Sequence, residues 1–185
     1  MKRLLALLIL LITLSGCSME NNGLQRGMQL REEILKSSCS FVAEITADYG
    51  DQSYTFSVGC TADTAGDLAF IVVSPESIGG ISGKITSDSG YLTFDEAVLA
   101  FPLLADGEVS PVSAPWLLIK TLRSGYLASA GMDGDYLLLT INDSYEEDAL
   151  QLDIWLDDQN RPIHADILWQ GRRVLSIAVK DFTFV

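Results

Sequence analysis

Few side chains in this sequence could carry out acid–base or metal chemistry. His164 is the only histidine among 185 residues, and Asp166 follows it two positions later on the same face of a predicted strand. A Ser–His–Asp site is conceivable there, but the sequence contains no G-x-S-x-G turn and no histidine–cysteine spacing typical of zinc. We therefore expect His164 to be an exposed strand residue. The protein is predicted not to be an enzyme and to need no metal or cofactor.

The N-terminus carries the pattern of an exported, lipid-modified protein. A basic pair precedes an almost purely apolar run at residues 4–14, which is too short to span a bilayer as a mature helix. The following Leu14-Ser15-Gly16-Cys17 resembles a bacterial lipobox, in which the cysteine thiol receives a diacylglycerol and the preceding peptide is removed. This resemblance implies a signal peptide at 1–16 and a lipidated N-terminal Cys17. The polar, glycine- and asparagine-rich composition of 18–27 predicts a short tether, so that 17–27 form the anchor and tether. An ordinary secretory signal that contains a cysteine is the alternative.

The other two cysteines, Cys39 and Cys60, flank a predicted hairpin. Apolar residues alternate with polar ones at 40–48 and again at 53–60, which is typical of strands with one buried face. A two-residue turn at Tyr49-Gly50 would place Cys39 directly opposite Cys60, within reach of a disulfide in an oxidising compartment. The sequence therefore predicts a Cys39–Cys60 disulfide. Two reduced, buried thiols are the alternative.

The composition excludes several classes of partner. Lys and Arg total 12 against 25 Asp and Glu, so the net charge of −13 argues against binding to nucleic acid or to anionic lipid by charge. Membrane attachment should therefore depend on the lipid at Cys17. Acidic loops at 133–135 and 143–148 could hold Ca²⁺ weakly, but they lack the EF-hand spacing. We expect them to be solvated turns.

Periodicity and turn residues predict a mainly β protein with two helices. The strands number about ten, and they alternate between an apolar and a polar face. One helix is predicted at 24–36 and a second at 116–123, where Pro115 and Gly125 mark the two ends. Residues 98–104 contain Pro102 and are expected to form a coil across the core. About ten antiparallel strands cannot stay flat, so the sheet must curl, split or close.

This order of elements resembles the lipoprotein-carrier family that includes LolA, LolB, RseB, LppX and LprG. The matching stretches are the hairpin at 41–60, residues 70–80 with their proline and glycines, the helix at 115–125 and the final strands at 157–184. The resemblance implies a half-barrel at 28–185, made of a strongly curved antiparallel sheet whose concave side is covered by an N-terminal and an internal helix. It also implies a cavity for acyl chains or lipidated cargo.

The alternation pattern and the resemblance together predict which side chains line that cavity. They are Phe41, Ala43, Ile45, Tyr54, Phe56, Val58, Phe70 and Trp116. Two functions remain open. The first is an envelope protein, lipid-anchored outside the cytoplasm, that binds a lipid, an acyl chain or another apolar ligand. The second is an envelope sensor or scaffold in which the same fold has a packed core, with an unknown protein partner.

Overall fold

The computed structural model describes residues 17–48, 52–94, 97–101, 104–105 and 108–185. The predicted signal peptide at 1–16 lies outside these residues. The helices are α1 (Cys17–Lys36) and α2 (Ala114–Ser124), with short 3₁₀ turns at Glu76–Ile78 and Pro111–Ser113. The strands are β1 (Cys39–Asp48), β2 (Ser53–Ala62), β3 (Leu68–Ser74), β4 (Ser82–Ile85), β5 (Gly90–Phe94), β6 (Ala97–Phe101), β7 (Leu104–Ala105), β8 (Glu108–Val109), β9 (Tyr126–Asp133), β10 (Tyr136–Asn142), β11 (Gln151–Leu156), β12 (Pro162–Trp169) and β13 (Arg172–Phe184).

Eleven of the described strands form one antiparallel sheet that does not close. Their order is β6-β5-β4-β3-β2-β1-β13-β12-β11-β10-β9, and β7 and β8 form a separate small hairpin. Along each long strand buried and less buried residues alternate, so one face of the sheet is apolar and inward while the other is polar and outward. The predicted fold class, an open antiparallel half-barrel with two helices, is confirmed.

Both helices pack against the inner face of the sheet. Helix α2 lies inside the curve, and eight of its eleven residues are buried, as expected for a helix that is apolar nearly all round. Helix α1 covers β9 and β10 and also contacts α2. The helices therefore cover the sheet from β9 across to β2, whereas the end formed by β5 and β6 has no described helix over it.

Residues 17–27 were predicted to be a tether, and this prediction is wrong. Helix α1 begins at Cys17, and two glycines one turn apart bring it close to the sheet. A Cβ atom on Gly23 would lie 3.1 Å from the Ala130 side chain, and one on Gly27 would lie 3.2 Å from that of Leu139. The glycines that suggested a flexible segment are thus close-packing positions. The domain boundary expected at residue 28 falls inside this helix.

Two arginines connect the helices, because an arginine of each helix donates hydrogen bonds to carbonyls at the C-terminal end of the other helix. The Arg31 guanidinium of α1 donates hydrogen bonds to the carbonyls of Leu122 (2.8 Å) and Gly125 (2.6 Å) at the end of α2. Arg123 of α2 donates to the Ile34 carbonyl near the end of α1 at 3.1 Å. A cation at a helix C-terminus satisfies its free carbonyls and opposes the negative end of the helix dipole. This exchange fixes α1 relative to α2.

The first hairpin has a different register from the predicted one. The described strands end at Asp48 and begin again at Ser53, so a longer connection replaces the expected two-residue turn. Cys39 lies opposite Ala62, and Cys60 lies opposite Phe41. The inner face of each strand is as predicted, because the register differs by two residues and a shift of two leaves every side chain on the same face.

The prediction of a coil at 98–104 is wrong for residues 98–101. Residues 97–101 form β6, which pairs with β5 at the edge of the large sheet. In the sequence, Pro102 follows the last residue of this strand, so β6 itself contains no proline.

Candidate functional site

Most of the predicted cavity residues lie together in one apolar core. Phe41, Ala43, Ile45, Val58, Phe70 and Trp116 are all at most 5% exposed. The ring of Phe41 stacks on that of Phe182 with centroids 5.6 Å apart. The whole concave centre is therefore packed by side chains of β1, β2, β3, β13 and α2. That these residues line a ligand cavity stays a prediction.

Two members of the predicted set lie nearer the solvent. Phe56 is half-buried and packs against the edge of the core. Tyr54 is 55% exposed, so its assignment to the interior is wrong. It has the inward parity of β2, opposite Ala47, but it lies at the start of the strand, and its hydroxyl donates a hydrogen bond to Gln52. The alternation pattern gave the correct face, but it carried no information about where the helical cover ends.

Trp116 is buried between α2 and the sheet. Its indole is 5% exposed, and the ammonium of Lys120, one turn later, lies 5.5 Å from the ring centroid. Lys120 also pairs with Asp143 at 3.6 Å, which holds the cation near the indole. This arrangement makes Trp116 a packing residue of the interior, with the ammonium of Lys120 over its ring.

The end of the concave face that has no described helix over it carries an apolar surface that sequence reasoning missed. Through the strand registers, the inward positions of β5 and β6 are Gly90, Leu92 and Phe94 paired with Phe101, Leu99 and Ala97. Every one of these six residues is apolar. Leu92 and Phe101 are half-buried, whereas Phe94 is 60% and Leu99 is 65% exposed. We call Leu92, Phe94, Leu99 and Phe101 the open-end surface.

A close contact fixes the shape of the open-end surface. The tip of the Phe101 ring lies against Gly90 on the neighbouring strand, where a Cβ atom would come within 2.4 Å of Cζ. Only glycine leaves this space, and the ring in return covers the bare backbone of β5. The alternation of residues at 90–94 could have predicted the β5 half of this surface. The β6 half was missed because Pro102 led to the prediction of a coil at 98–104.

The two interior cysteines are free thiols, so the predicted disulfide is wrong for this structure. In the observed register Cys39 and Cys60 are diagonal neighbours on the inner face. Diagonal neighbours are separated by about 7–8 Å, whereas a disulfide needs Cα atoms within about 4.4–6.8 Å. Burial raises the pKa of the Cys39 thiol to about 11 and raises that of Cys60 further, with the charge of Cys39 adding to the effect.

Thiol labelling tests this arrangement. In a chain that lacks Cys17, we expect almost no reaction with a maleimide at pH 7.5 in the folded state, because both thiols are buried and the reactive thiolate is scarce. Unfolding in guanidinium without reductant should expose Cys39 and Cys60, giving two labelled thiols per chain. An unfolded chain that takes up label only after reduction would show instead that the two cysteines are bonded.

His164 does not form a catalytic triad, although its neighbours have suitable side chains. Its Nε2 lies 3.0 Å from Asp166 Oδ1 and 3.3 Å from Ser176 Oγ. In a catalytic triad the serine hydroxyl and the carboxylate form hydrogen bonds with different nitrogens of the histidine ring, so that the histidine can accept the serine proton. Here the carboxylate oxygen and the serine hydroxyl both lie within hydrogen-bond distance of the same nitrogen, Nε2. This cluster is on the outer face of β12 and β13, half-buried rather than exposed as predicted.

Asp166 is an ionised centre of this outer cluster. Burial would raise the pKa of its carboxyl, but hydrogen bonds from His164 and Ser176 and the charge of Arg173 outweigh that effect and lower the pKa below 3.8. A lowered folded-state pKa stabilises the protein above the unfolded value, and this stabilisation is lost as the pH falls through the folded value.

The Asp166→Asn variant should therefore be less stable than the parent at pH 7, by about 0.5–1.5 kcal/mol for a hydrogen bond of this kind. The difference should shrink below pH 4, where the parent's carboxyl also becomes neutral. Urea unfolding at pH 7, 5 and 3 measures both effects, and Asp158→Asn in an exposed turn is the matched control. A difference that stays constant with pH would contradict the assignment.

The acidic loops form contacts within the protein. Asp133 accepts a hydrogen bond from the Trp155 indole at 2.8 Å, and Asp143 accepts one from the Leu150 amide at 2.9 Å. Among the described residues no cluster of histidine, cysteine or carboxylate side chains could hold a metal ion. Likewise, none of the described helices is both long and apolar enough to cross a bilayer.

Comparison with known proteins finds distant structural similarity and assigns neither a family nor an activity. No family model and no curated protein matches the chain. A LolA superfamily protein from Nitrosomonas europaea shares 8% identity at a TM-score of 0.45, covering 86% of this chain and 93% of that one. A putative outer membrane lipoprotein-sorting protein domain from Vibrio parahaemolyticus shares 11% at 0.47 (89% and 92% covered), and an uncharacterized conserved protein from Thermus thermophilus shares 12% at 0.48 (87% and 86%). The architecture that the sequence resemblance implies is seen in the structure itself, as an open antiparallel sheet with two helices on its inner face.

Proposed function

We propose that this protein is a lipid-anchored protein of the bacterial cell envelope that binds a lipid, an acyl chain or another apolar ligand at its open-end surface. The observation that carries the proposal is the exposure of Phe94 and Leu99 on the concave face, 60% and 65% respectively. Large apolar side chains exposed in a concavity are typical of a ligand or partner site. Burying each of them would contribute roughly 1.5–3 kcal/mol.

The chemistry of the surface favours an acyl chain. The described inward positions of β5 and β6 hold no charged or hydroxyl-bearing side chain, so they offer a ligand no polar side-chain partner. An acyl chain needs none. Leu92 and Phe101 form a half-buried floor that continues into the packed core, and Phe94 and Leu99 stand at its rim.

The anchor and the ligand site belong to one arrangement. If Cys17 carries the lipid, helix α1 begins at the anchor itself and is docked on β9 and β10 through Gly23 and Gly27. The half-barrel would then be held close to the membrane that supplies apolar ligands, with no long tether between them. The protein acts by binding and presenting its ligand, outside the cytoplasm, and not by catalysis.

A sensor or scaffold is the second candidate. The close packing of Phe41, Ile45 and Trp116 favours this function, because side chains then fill the centre of the half-barrel and occupy the space that a ligand would need. In that case the open-end surface would contact a protein and no lipid would be carried.

One pair of substitutions on a single strand tests the ligand site. In the domain from residue 18 onward, Leu99→Asp places a charge on the concave face, and binding of a fluorescent long-chain fatty acid should weaken roughly ten- to a hundredfold. Val98→Asp is the matched control, because Val98 is equally exposed at 67% but lies on the convex face of the same strand. If the parent domain binds no fatty acid and carries no lipid in native mass spectrometry, the ligand-binding function is contradicted and the sensor or scaffold function is favoured.

A further inference from the structure

The outer face of the sheet carries a tryptophan whose indole is held in one position. Trp155 of β11 lies opposite Leu138 of β10, and its indole donates a hydrogen bond to Asp133 Oδ2 at 2.8 Å. Asp133 belongs to β9, two strands away, and neighbouring strands are about 4.7–4.9 Å apart. The indole therefore extends across β10 along the surface of the sheet. It is half-buried, and both described helices lie on the other face, so its outward side is open to solvent.

His164 supports the indole from the side of β12. The two ring centroids are 5.1 Å apart, and the rings are inclined at 62°, so the imidazole meets the indole edge to face. The imidazole is itself held by Asp166 at 3.0 Å and by Ser176 at 3.3 Å. The ring of Trp155 is thus fixed on two sides before anything binds to it. A surface fixed in advance loses little conformational entropy when a ligand docks.

The charges around the indole favour a cation. Asp133 and Asp153 lie in the rows of paired residues on either side of the row that contains Trp155. In the part of the chain that the structure describes, the ion pairs involve other carboxylates, and the cation that lies over an aromatic ring is Lys120 over Trp116. The face of an indole carries partial negative charge, and two nearby carboxylates add to its attraction for a positive group.

We propose that the outer face around Trp155 binds an arginine side chain of a partner protein. A guanidinium is planar, so it stacks on an indole with its N–H donors directed sideways, towards the carboxylates of Asp133 and Asp153. An ammonium has no plane to match the ring. A second copy of this chain is disfavoured as the partner, because each copy carries a net charge of −13. The site lies on the opposite face from the open-end surface, and its residues fall within 109–185, which the structure describes without a gap.

Fluorine NMR of the full chain in detergent micelles tests this site. The three tryptophans are replaced by 5-fluorotryptophan, and the Trp155→Leu variant identifies the signal of Trp155. The probe is an end-blocked Gly-Arg-Gly peptide. We expect a saturable shift of the Trp155 signal with a dissociation constant of about 1–10 mM, while the signals of Trp116 and Trp169 stay in place. The matched probe has citrulline for arginine, which keeps the shape without the charge, and it should bind at least tenfold more weakly.

A change of charge at the rim of the ring tests the role of the carboxylates. Asp133→Asn keeps an oxygen for the indole N–H but removes the charge, so binding of the arginine peptide should weaken at least threefold. Asp158→Asn in an exposed turn is the matched control and should leave binding unchanged.

Several results would overturn the proposal. They are the absence of a saturable shift in the parent chain, equal binding of the citrulline peptide, and equal effects of Asp133→Asn and Asp158→Asn. Equal binding of a Gly-Lys-Gly peptide or of choline would also overturn it, because the site would then not be specific for a guanidinium. Fatty acid binding should be the same in Trp155→Leu as in the parent, and its loss would overturn the separation of this site from the ligand site.

Discussion

Replacing Cys17 with serine is expected to abolish lipid incorporation completely. The apolar run at 4–14 and the sequence Leu14-Ser15-Gly16-Cys17 predict that the thiol of Cys17 is the acceptor of the diacylglycerol, and a hydroxyl does not replace a thiol in that reaction. Cells fed an alkyne-bearing fatty acid should label the parent protein and leave the Cys17→Ser variant unlabelled. The variant should also migrate as the longer, unprocessed chain, since residues 1–16 would remain attached.

The neighbouring residue provides the control for this experiment. Ser18→Ala changes an adjacent small residue and should be labelled and processed like the parent. Mass spectrometry of the N-terminal peptide gives the same answer directly, because a diacylglyceryl group on Cys17 adds a defined mass. Equal labelling of the Cys17→Ser variant would show that Cys17 is not the lipidated residue, and it would contradict the anchor in the proposed function.

Trp116→Ala should cause the largest loss of stability among the single changes considered. The indole is 5% exposed and packs between α2 and the sheet, so its removal leaves a cavity that the surrounding strands cannot close. Truncating a buried tryptophan typically costs about 3–5 kcal/mol in the free energy of unfolding. Urea unfolding followed by circular dichroism measures this, because the far-ultraviolet signal does not depend on the deleted indole.

Trp169 offers a matched control within the same chain. It ends β12 and is 39% exposed, so Trp169→Ala should cost well under half as much as Trp116→Ala. A loss below about 1 kcal/mol at Trp116 would mean that the concave centre tolerates a void. Such a result would favour an interior ligand cavity over a fully packed core. Fatty acid binding should then be measured with the Trp116→Ala variant.

The faces of the strands could be predicted from the sequence, whereas the register could not. Alternation at Phe41, Ala43 and Ile45 identifies the buried face, because side-chain direction in a strand has a period of two. A shift of two residues keeps the same side chains inward, so the pattern is compatible with either pairing of the first hairpin. The prediction of Cys39 opposite Cys60 depended on that choice and failed, while the burial of both residues did not depend on it.

The start of α1 shows how tertiary contact overrides local propensity. Glycine and asparagine at 21–27 disfavour an isolated helix, and the sequence accordingly predicted a tether. Gly23 and Gly27 allow the helix axis to approach β9 and β10 closely, and that packing supplies what the local sequence lacks. Nothing within residues 21–27 reveals the partner surface, because Ala130 and Leu139 lie more than a hundred positions later.

The candidate site divides in the same way. Local signals predict export and lipidation at Cys17. Local signals also indicate the strand-rich fold, the internal helix and the apolar character of Leu92 and Phe94, because each of these features is carried by neighbouring residues. Only the tertiary structure decided that Phe94 and Leu99 lie on the same concave face, at an end with no described helix over it, and that Tyr54 is largely exposed. Those facts depend on which distant strands pair and where α1 and α2 stop covering the sheet, and such contacts leave no periodic trace along the chain.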